Sequence, residues 1–214
     1  MEGRFLNRAE GGRRLAQRLS GYRDRDDVVV LGLPRGGVPV AYEVARQLGL
    51  PLDVFVVRKL GVPGYEELAI GAIASGNVRV LNDDVMRALP NSEAILQTVL
   101  AQEKIELGRR EARYRQDRPV RDLHGRVVIL VDDGLATGAT MRAAAAALRE
   151  KGVARIVVAV PVGAPETCRA IEAEVDEVVC VSEPPYFHGV GQFYEDFSQT
   201  TDEEVRELLA KADV

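Results

Sequence analysis

The 214-residue chain carries two cysteines, two histidines and no apolar run approaching the roughly 20 residues of a membrane helix. Each scarcity removes a class of protein. Cys168 and Cys180 form no CxxC and lie in apolar or helical stretches, so they are expected to be small core residues in a reducing compartment. With only His124 and His188 beside them, no spacing suggests a zinc site built by the protein, and any metal is expected to arrive with a substrate. The N-terminal stretch MEGRFLNRAEGGRR lacks the apolar centre of a secretory signal, so the cytoplasm is the expected location and no membrane partner is expected. The net charge of −5 is spread over acids and bases without a basic tail. That disfavours nucleic acid as a partner, while a local pocket can still take a small anion.

What is present is a globular composition, 46% hydrophobic and 29% charged, long enough to bury one large core. Continuous apolar runs at Val28–Leu33, Asp53–Val57, Arg126–Val131, Arg155–Val160 and Glu177–Val181 read as buried strands. Helices are predicted over Arg8–Leu19, Val38–Leu48, Ser92–Arg115, Gly138–Lys151 and Glu166–Glu174, and a last one to about Lys211 opens on a Thr201/Glu204 capping box. Gly61–Glu67 reads as a turn-rich loop, followed by a β-hairpin from Leu68–Ala74 and Val78–Leu81. The basic end of the long helix reads as a solvated face. Alternating strands and helices define an α/β fold with an open, mostly parallel twisted sheet flanked by helices. One domain is expected, its core about 28–182, with flanking or hood segments at 1–27 and 183–214.

Ligands of such sheets bind beyond the carboxyl ends of the strands. After Val131 come Asp132 and Asp133, then Gly134-Leu135-Ala136-Thr137-Gly138-Ala139-Thr140, small residues leading into a helix. Helix N-terminal amides with the Thr137 and Thr140 hydroxyls suit a phosphate monoester, and the two carboxylates suit neighbouring hydroxyls. Asp-Asp-Gly alone reads equally well as a capped polar turn. Neither GxxxxGK[ST] nor GxGxxG occurs here, which sets aside P-loop and dinucleotide sites. The other strand end gives Pro34-Arg35-Gly36-Gly37, which alone would read as a plain turn and at a strand end suits a diphosphate.

The run from Val128 to Thr140 resembles the 5-phosphoribosyl-1-pyrophosphate (PRPP) motif of type I phosphoribosyltransferases, and the resemblance extends over roughly 28–187. It implies that Asp132 and Asp133 hold the ribose hydroxyls, that Ala136, Thr137, Gly138, Ala139 and Thr140 cradle the 5-phosphate, and that Mg2+ bridges ribose and pyrophosphate. By the same resemblance Arg35, Gly36, Gly37, Arg58 and Lys59 contact pyrophosphate, and Gly61–Glu67 is a closing loop. Glu67, with Glu66 as second choice, would orient or deprotonate the incoming base, and a solvated loop acid is an equally good reading. Ala136 stands where hypoxanthine-type members carry an Asp, so that mechanism is not copied directly; DDGLATGATM looks more like the adenine enzymes.

The resemblance implies an Mg2+-dependent glycosyltransferase acting on PRPP and a purine or pyrimidine base, in nucleotide metabolism or salvage. Five aromatics fall between 186 and 197, and Phe187 first, then Tyr186, are candidates to stack the base; these rings equally suit core closure or a homodimer contact. GVGQFYEDFSQTTDEEV resembles a bacterial group of predicted phosphoribosyltransferases. A PRPP-binding regulator is the alternative from another class. The sequence carries neither the DNA-binding module nor the broad basic face a regulator should show.

Overall fold

The computed structural model describes residues 4–115, 118 and 120–212, apart from the side chains of Glu66 and Glu67. Eight strands are described: β1 (Val28–Gly32), β2 (Leu52–Val54), β3 (Val57–Val62), β4 (Tyr65–Ala74), β5 (Val78–Leu81), β6 (Val127–Val131), β7 (Arg155–Val162) and β8 (Glu177–Ser182). The valine-rich runs form a five-stranded sheet of order β2-β1-β6-β7-β8, parallel throughout. Every residue of β1 and β6 is buried, as central strands covered on both faces must be.

Alternation along those strands sorts the core into two layers. Val28, Val30, Ile129 and Val131 face a layer with Leu15 and Ala16 of α1 (Arg8–Arg18), Val44 and Leu48 of α2 (Gly37–Leu48), and Val205 and Leu209 near the C-terminus. Val29, Leu31, Val128 and Leu130 face the alanine-rich α5 (Ala139–Glu150) and Ile171 of α6 (Pro165–Glu172). α3 (Asp83–Ala88) and α4 (Ser92–Arg115) lie between β5 and β6 in the chain, and α7 (Asp202–Lys211) closes it, with the Thr201 hydroxyl accepting from the Glu204 amide. Cutting Ile129 back to alanine in so closed a layer costs about 2–5 kcal/mol. No described helix is long and apolar enough to cross a membrane.

The structure corrects two expectations. Asp53–Val57 is not one strand: parallel pairing ends at Val54, and Val57 opens a separate antiparallel sheet of order β3-β4-β5. Ser75 forces the change. Its hydroxyl accepts from the Val56 amide at 3.0 Å and its own amide donates to the Val56 carbonyl at 2.9 Å, tying the crossing to the end of β4. Nor is Gly61–Glu67 a loop. β3 and β4 run on as a long hairpin whose tip is Pro63-Gly64, with Gly64 at φ 81° and Val62 opposite Tyr65. Glycine and proline mark the turn alone; Leu60, Val62 and Ile70 pack with Leu96 and Val99 of α4 and carry the strands outward. Helix α3 was not anticipated; the Asn82 side chain caps it by accepting from the Val85 amide.

Candidate active site

β1 and β6 are adjacent, with Gly32 opposite Val131, so the segments leaving them meet side by side. The contact is close enough to dictate glycine. A Cβ at Gly36 would lie 2.1 Å from Asp133 Oδ2, and one at Gly37 would lie 2.6 Å from the Val131 carbonyl oxygen and 3.1 Å from Asp132 Oδ1. The paired glycines therefore admit the acidic pair, a job the sequence reading did not give them. The Pro34–Arg35 peptide in this turn is cis.

The two acids differ in their partners. Asp132 Oδ1 accepts from the Asp133 amide at 2.8 Å. Asp133 Oδ2 accepts from Arg8 Nε of α1 at 2.8 Å, and its carbonyl accepts from the Tyr194 hydroxyl at 2.6 Å. Burial, and then the charge of Asp133, push the Asp132 carboxyl well above its ordinary range. Asp133 is raised by burial and drawn back by Arg8. Two carboxylates taken from water with one arginine between them form a site that hydroxyl donors or a cation would relieve.

Beyond the acids the chain forms a small cleft of about 130 Å3, lined by Asp132, Gly134–Met141 and Val190. Gly138 sits at the cap of α5 with φ 75°, where a Cβ would also press within 2.8 Å of Thr167 Cγ2. Gly138 offers no side-chain cap, the Ala139 amide makes only a long 3.5 Å bond to the Thr137 hydroxyl, and the first internal hydrogen bond runs from the Arg142 amide to the Gly138 carbonyl, so the amides of this first turn have no helical partner. The floor is braced: Ala136 accepts from the Thr167 hydroxyl at 2.6 Å, and Leu135 bridges to Gly163 beyond β7. Positive helix-end potential, amides and the Thr137 and Thr140 hydroxyls make a phosphate-sized cradle beside two acids.

The remaining candidates are more dispersed. Arg35, at the same strand end, lies 4.0 Å from Asp202 in a basic cleft of about 200 Å3 with Arg109, Arg110, Arg113 and Tyr114 of α4. Arg58 is on β3, its Nε on Glu103 of α4 at 2.6 Å, and strand alternation puts Lys59 on the opposite face. The backbone of Glu67 belongs to β4; its side chain lies outside the described residues. Phe187 stacks on Phe193 with centroids 5.4 Å apart, against a cluster of Phe5, Val162 and Tyr194, whereas Tyr186 is 80% exposed. A larger cavity of about 400 Å3, lined by Asp26, Val28, Pro51 and Arg126 among others, opens at the amino ends of the strands, away from the acids and the cradle.

The sequence reading does not include Arg8, and it includes Tyr194 only as one of five aromatic rings, not as a partner of Asp133. Arg8 also donates to the Ser198 carbonyl at 2.6 Å and lies 4.1 Å from the Phe197 ring centroid, so it ties the C-terminal segment to the acids. An arginine opening a basic, amphipathic helix gives no local sign of reaching a residue 125 positions away.

The chain belongs to the phosphoribosyl transferase domain family, whose match spans residues 4–198 and so includes both strand ends and the acidic pair. Among its relatives, TT1426 from Thermus thermophilus has a solved structure that superposes with a TM-score of 0.88 at 45% identity, covering 97% of this chain and 98% of that one. Two Mycobacterium tuberculosis proteins, from strains CDC 1551 and H37Rv, are each provisionally named a phosphoribosyl transferase and are 50% identical over 208 residues. Those matches cover 97% of this chain and 47% of each relative, so the chain spans about half the length of these curated relatives.

Proposed function

We propose that the chain transfers the phosphoribosyl group of PRPP to a nitrogenous base and releases pyrophosphate. The observation that carries this reading is the acidic pair set between the paired glycines and the α5 cradle. In it Asp132 and Asp133 accept from the ribose 2- and 3-hydroxyls, and Ala136–Thr140 take the 5-phosphate. The C1–O bond to pyrophosphate breaks as a C1–N bond to the base forms. With oxocarbenium character at C1, the protein's work is positioning and stabilising departing charge.

Arg35 and the Gly36 amide supply that stabilisation from the β1 end, the Gly37 amide being given to the Leu33 carbonyl at 3.0 Å, and Lys59 supplies it from β3. Arg58 joins them by exchanging Glu103 for the anion. Glu67 on β4 orients the base or takes its proton. Tyr186 is better placed than Phe187 to stack the base, since Phe187 already has Phe193.

Mg2+ fits this donor set: hard carboxylate oxygens, unfavourable to each other when both ionised, beside a cradle for a phosphorylated ligand. Asp132 and Asp133 would be its nearest protein carboxylates, with substrate oxygens holding most of it. When bound it neutralises pyrophosphate charge.

The test is pyrophosphate release from PRPP and Mg2+ across purine, pyrimidine and nicotinate-type bases, with an Asp132→Asn/Asp133→Asn control. Base-dependent release that the control loses supports transfer and names the acceptor. PRPP binding without release for any base would replace transfer with a regulatory role, and no PRPP binding would reject the site.

A further inference from the structure

We propose that Cys168, Cys180 and Glu183 form a site for a thiophilic divalent cation, zinc by its ligand preferences, beneath the phosphate cradle. Cys168 is on α6, Cys180 is on β8 and Glu183 directly follows that strand. Their two sulfurs and a carboxylate oxygen all lie within 4.8 Å of one another. Tetrahedral zinc with sulfurs at about 2.3 Å spaces them roughly 3.8 Å apart, so a closing movement of about 1 Å at most completes the set.

The backbone beside the two sulfurs is glycine. Both sulfurs converge on Gly163, where a Cβ would meet Cys168 Sγ at 2.5 Å and Cys180 Sγ at 3.3 Å. Packing alone accounts for two adjacent thiols as small core residues. The carboxylate of Glu183 adds a third donor to them, and the Cys180 thiol now donates to the Ser182 carbonyl at 3.1 Å, a bond that a cation would replace. Cys168 is buried, which also shields it from oxidants, while Glu183 is exposed and opens the site to solvent on one side. Binding the cation displaces the thiol protons, so affinity should rise with pH.

Two thiolates and a carboxylate leave a fourth position for water. Soft sulfur ligands select zinc over magnesium, so this site and the hard-oxygen pair Asp132/Asp133 would not compete for one ion. The location matters to the cradle: Ala164 donates to the Leu135 carbonyl at 2.9 Å, and Thr167 holds Ala136, so α6 and the residues before it support the loop directly. The site itself stands independently of phosphoribosyl transfer. The sequence hid it because Cys168 and Cys180 are far outside any CxxC spacing and meet only when α6 packs on β8.

The test is anaerobic titration of the reduced chain with Co2+, followed by Zn2+ competition. One equivalent should give a thiolate-to-cobalt charge-transfer band that one equivalent of zinc abolishes. Cys168→Ser and Cys180→Ser should lose the band. Glu183→Gln, at an exposed position, should keep its fold by circular dichroism and bind zinc at least about tenfold more weakly; it carries the test if Cys168→Ser misfolds. No band in the wild-type chain, a band that survives both cysteine variants, or unchanged zinc affinity in Glu183→Gln would overturn the proposal. So would a reduced chain that ignores cobalt yet closes a Cys168–Cys180 disulfide with oxidised glutathione.

Discussion

Arg115 and Arg8 each hold an aspartate at the carboxyl end of a parallel strand, at 2.9 and 2.8 Å, and the likeness ends there. Arg115 reaches Asp53 on β2 from the end of α4, gives a second nitrogen to the Val54 carbonyl at 2.8 Å, and is buried with its partner. The Asp53 carboxylate also takes the Val54 amide, and the charges of Arg118 and Arg121 add to that of Arg115 against the burial that raises it. Arg8 meets Asp133, but Asp132 stands behind it with no cation of its own in hydrogen-bond contact among the described residues. The first anion has more than one cation about it, and the second pair is in deficit. A closed pair holds two elements together; a pair in deficit, facing an open cleft, is arranged for something that arrives later.

Removing the arginine from each pair separates the two roles. Arg115→Met takes from buried Asp53 its hydrogen-bonded cation, leaving only the charges of Arg118 and Arg121 nearby, and chemical denaturation should show a loss of about 3 kcal/mol. Ribose 5-phosphate affinity in the fraction that remains folded should be unchanged. Arg8→Met should cost less stability, about 1–2 kcal/mol, because the Asp133 side chain keeps 15% exposure against 8% for Asp53 and can take up a proton. Its larger effect should fall on the ligand, with calorimetry showing ribose 5-phosphate binding weakened about tenfold, or about 1.4 kcal/mol. If Arg8→Met instead destabilised as much as Arg115→Met and left binding intact, both pairs would be struts and the comparison would fail.

The same contrast marks what the sequence made legible. The parallel sheet could be read because valine runs, the Asp132-Asp133 pair and the small-residue segment through Thr140 are local signals, each contained in one strand-to-helix passage. Helix α4 matched its predicted span, Ser92–Arg115, yet its last residue was read as solvated when Arg115 is buried. Helical periodicity tells which residues share a face but not which distant strand covers that face. The switch of sheets at Phe55–Val56 depends on Ser75, and the charge balance at Asp133 on Arg8, contacts made by residues far apart in the chain. The glycines at 36 and 37 were noticed for the right place and given an incomplete reason. Their need for absent side chains comes from Asp133 and from the β6 terminus, about a hundred residues downstream.

The deficit at Asp132 makes the smallest and most diagnostic prediction. Asp132→Asn removes the charge and keeps an oxygen that can accept from the Asp133 amide, so the folded chain should gain about 1 kcal/mol at neutral pH while ribose 5-phosphate binding is lost. The sign of its pH dependence follows from the raised carboxyl of Asp132. A carboxyl whose pKa is higher folded than unfolded favours the fold when protonated. That contribution is complete below the ordinary aspartate range, near about 4, and is lost as pH rises through the folded value. Wild type and Asp132→Asn should therefore be nearly equal in acid and diverge as pH rises, the variant becoming the more stable until Asp132 is fully ionised. Denaturation curves for both chains at a series of pH values measure that difference directly, with other carboxylates largely cancelling. A constant gap at all pH values would mean that Asp132 ionises without cost. An opposite slope would mean that the wild-type carboxylate is already balanced in the empty site, and the distinction between the two arginine–aspartate pairs would then disappear.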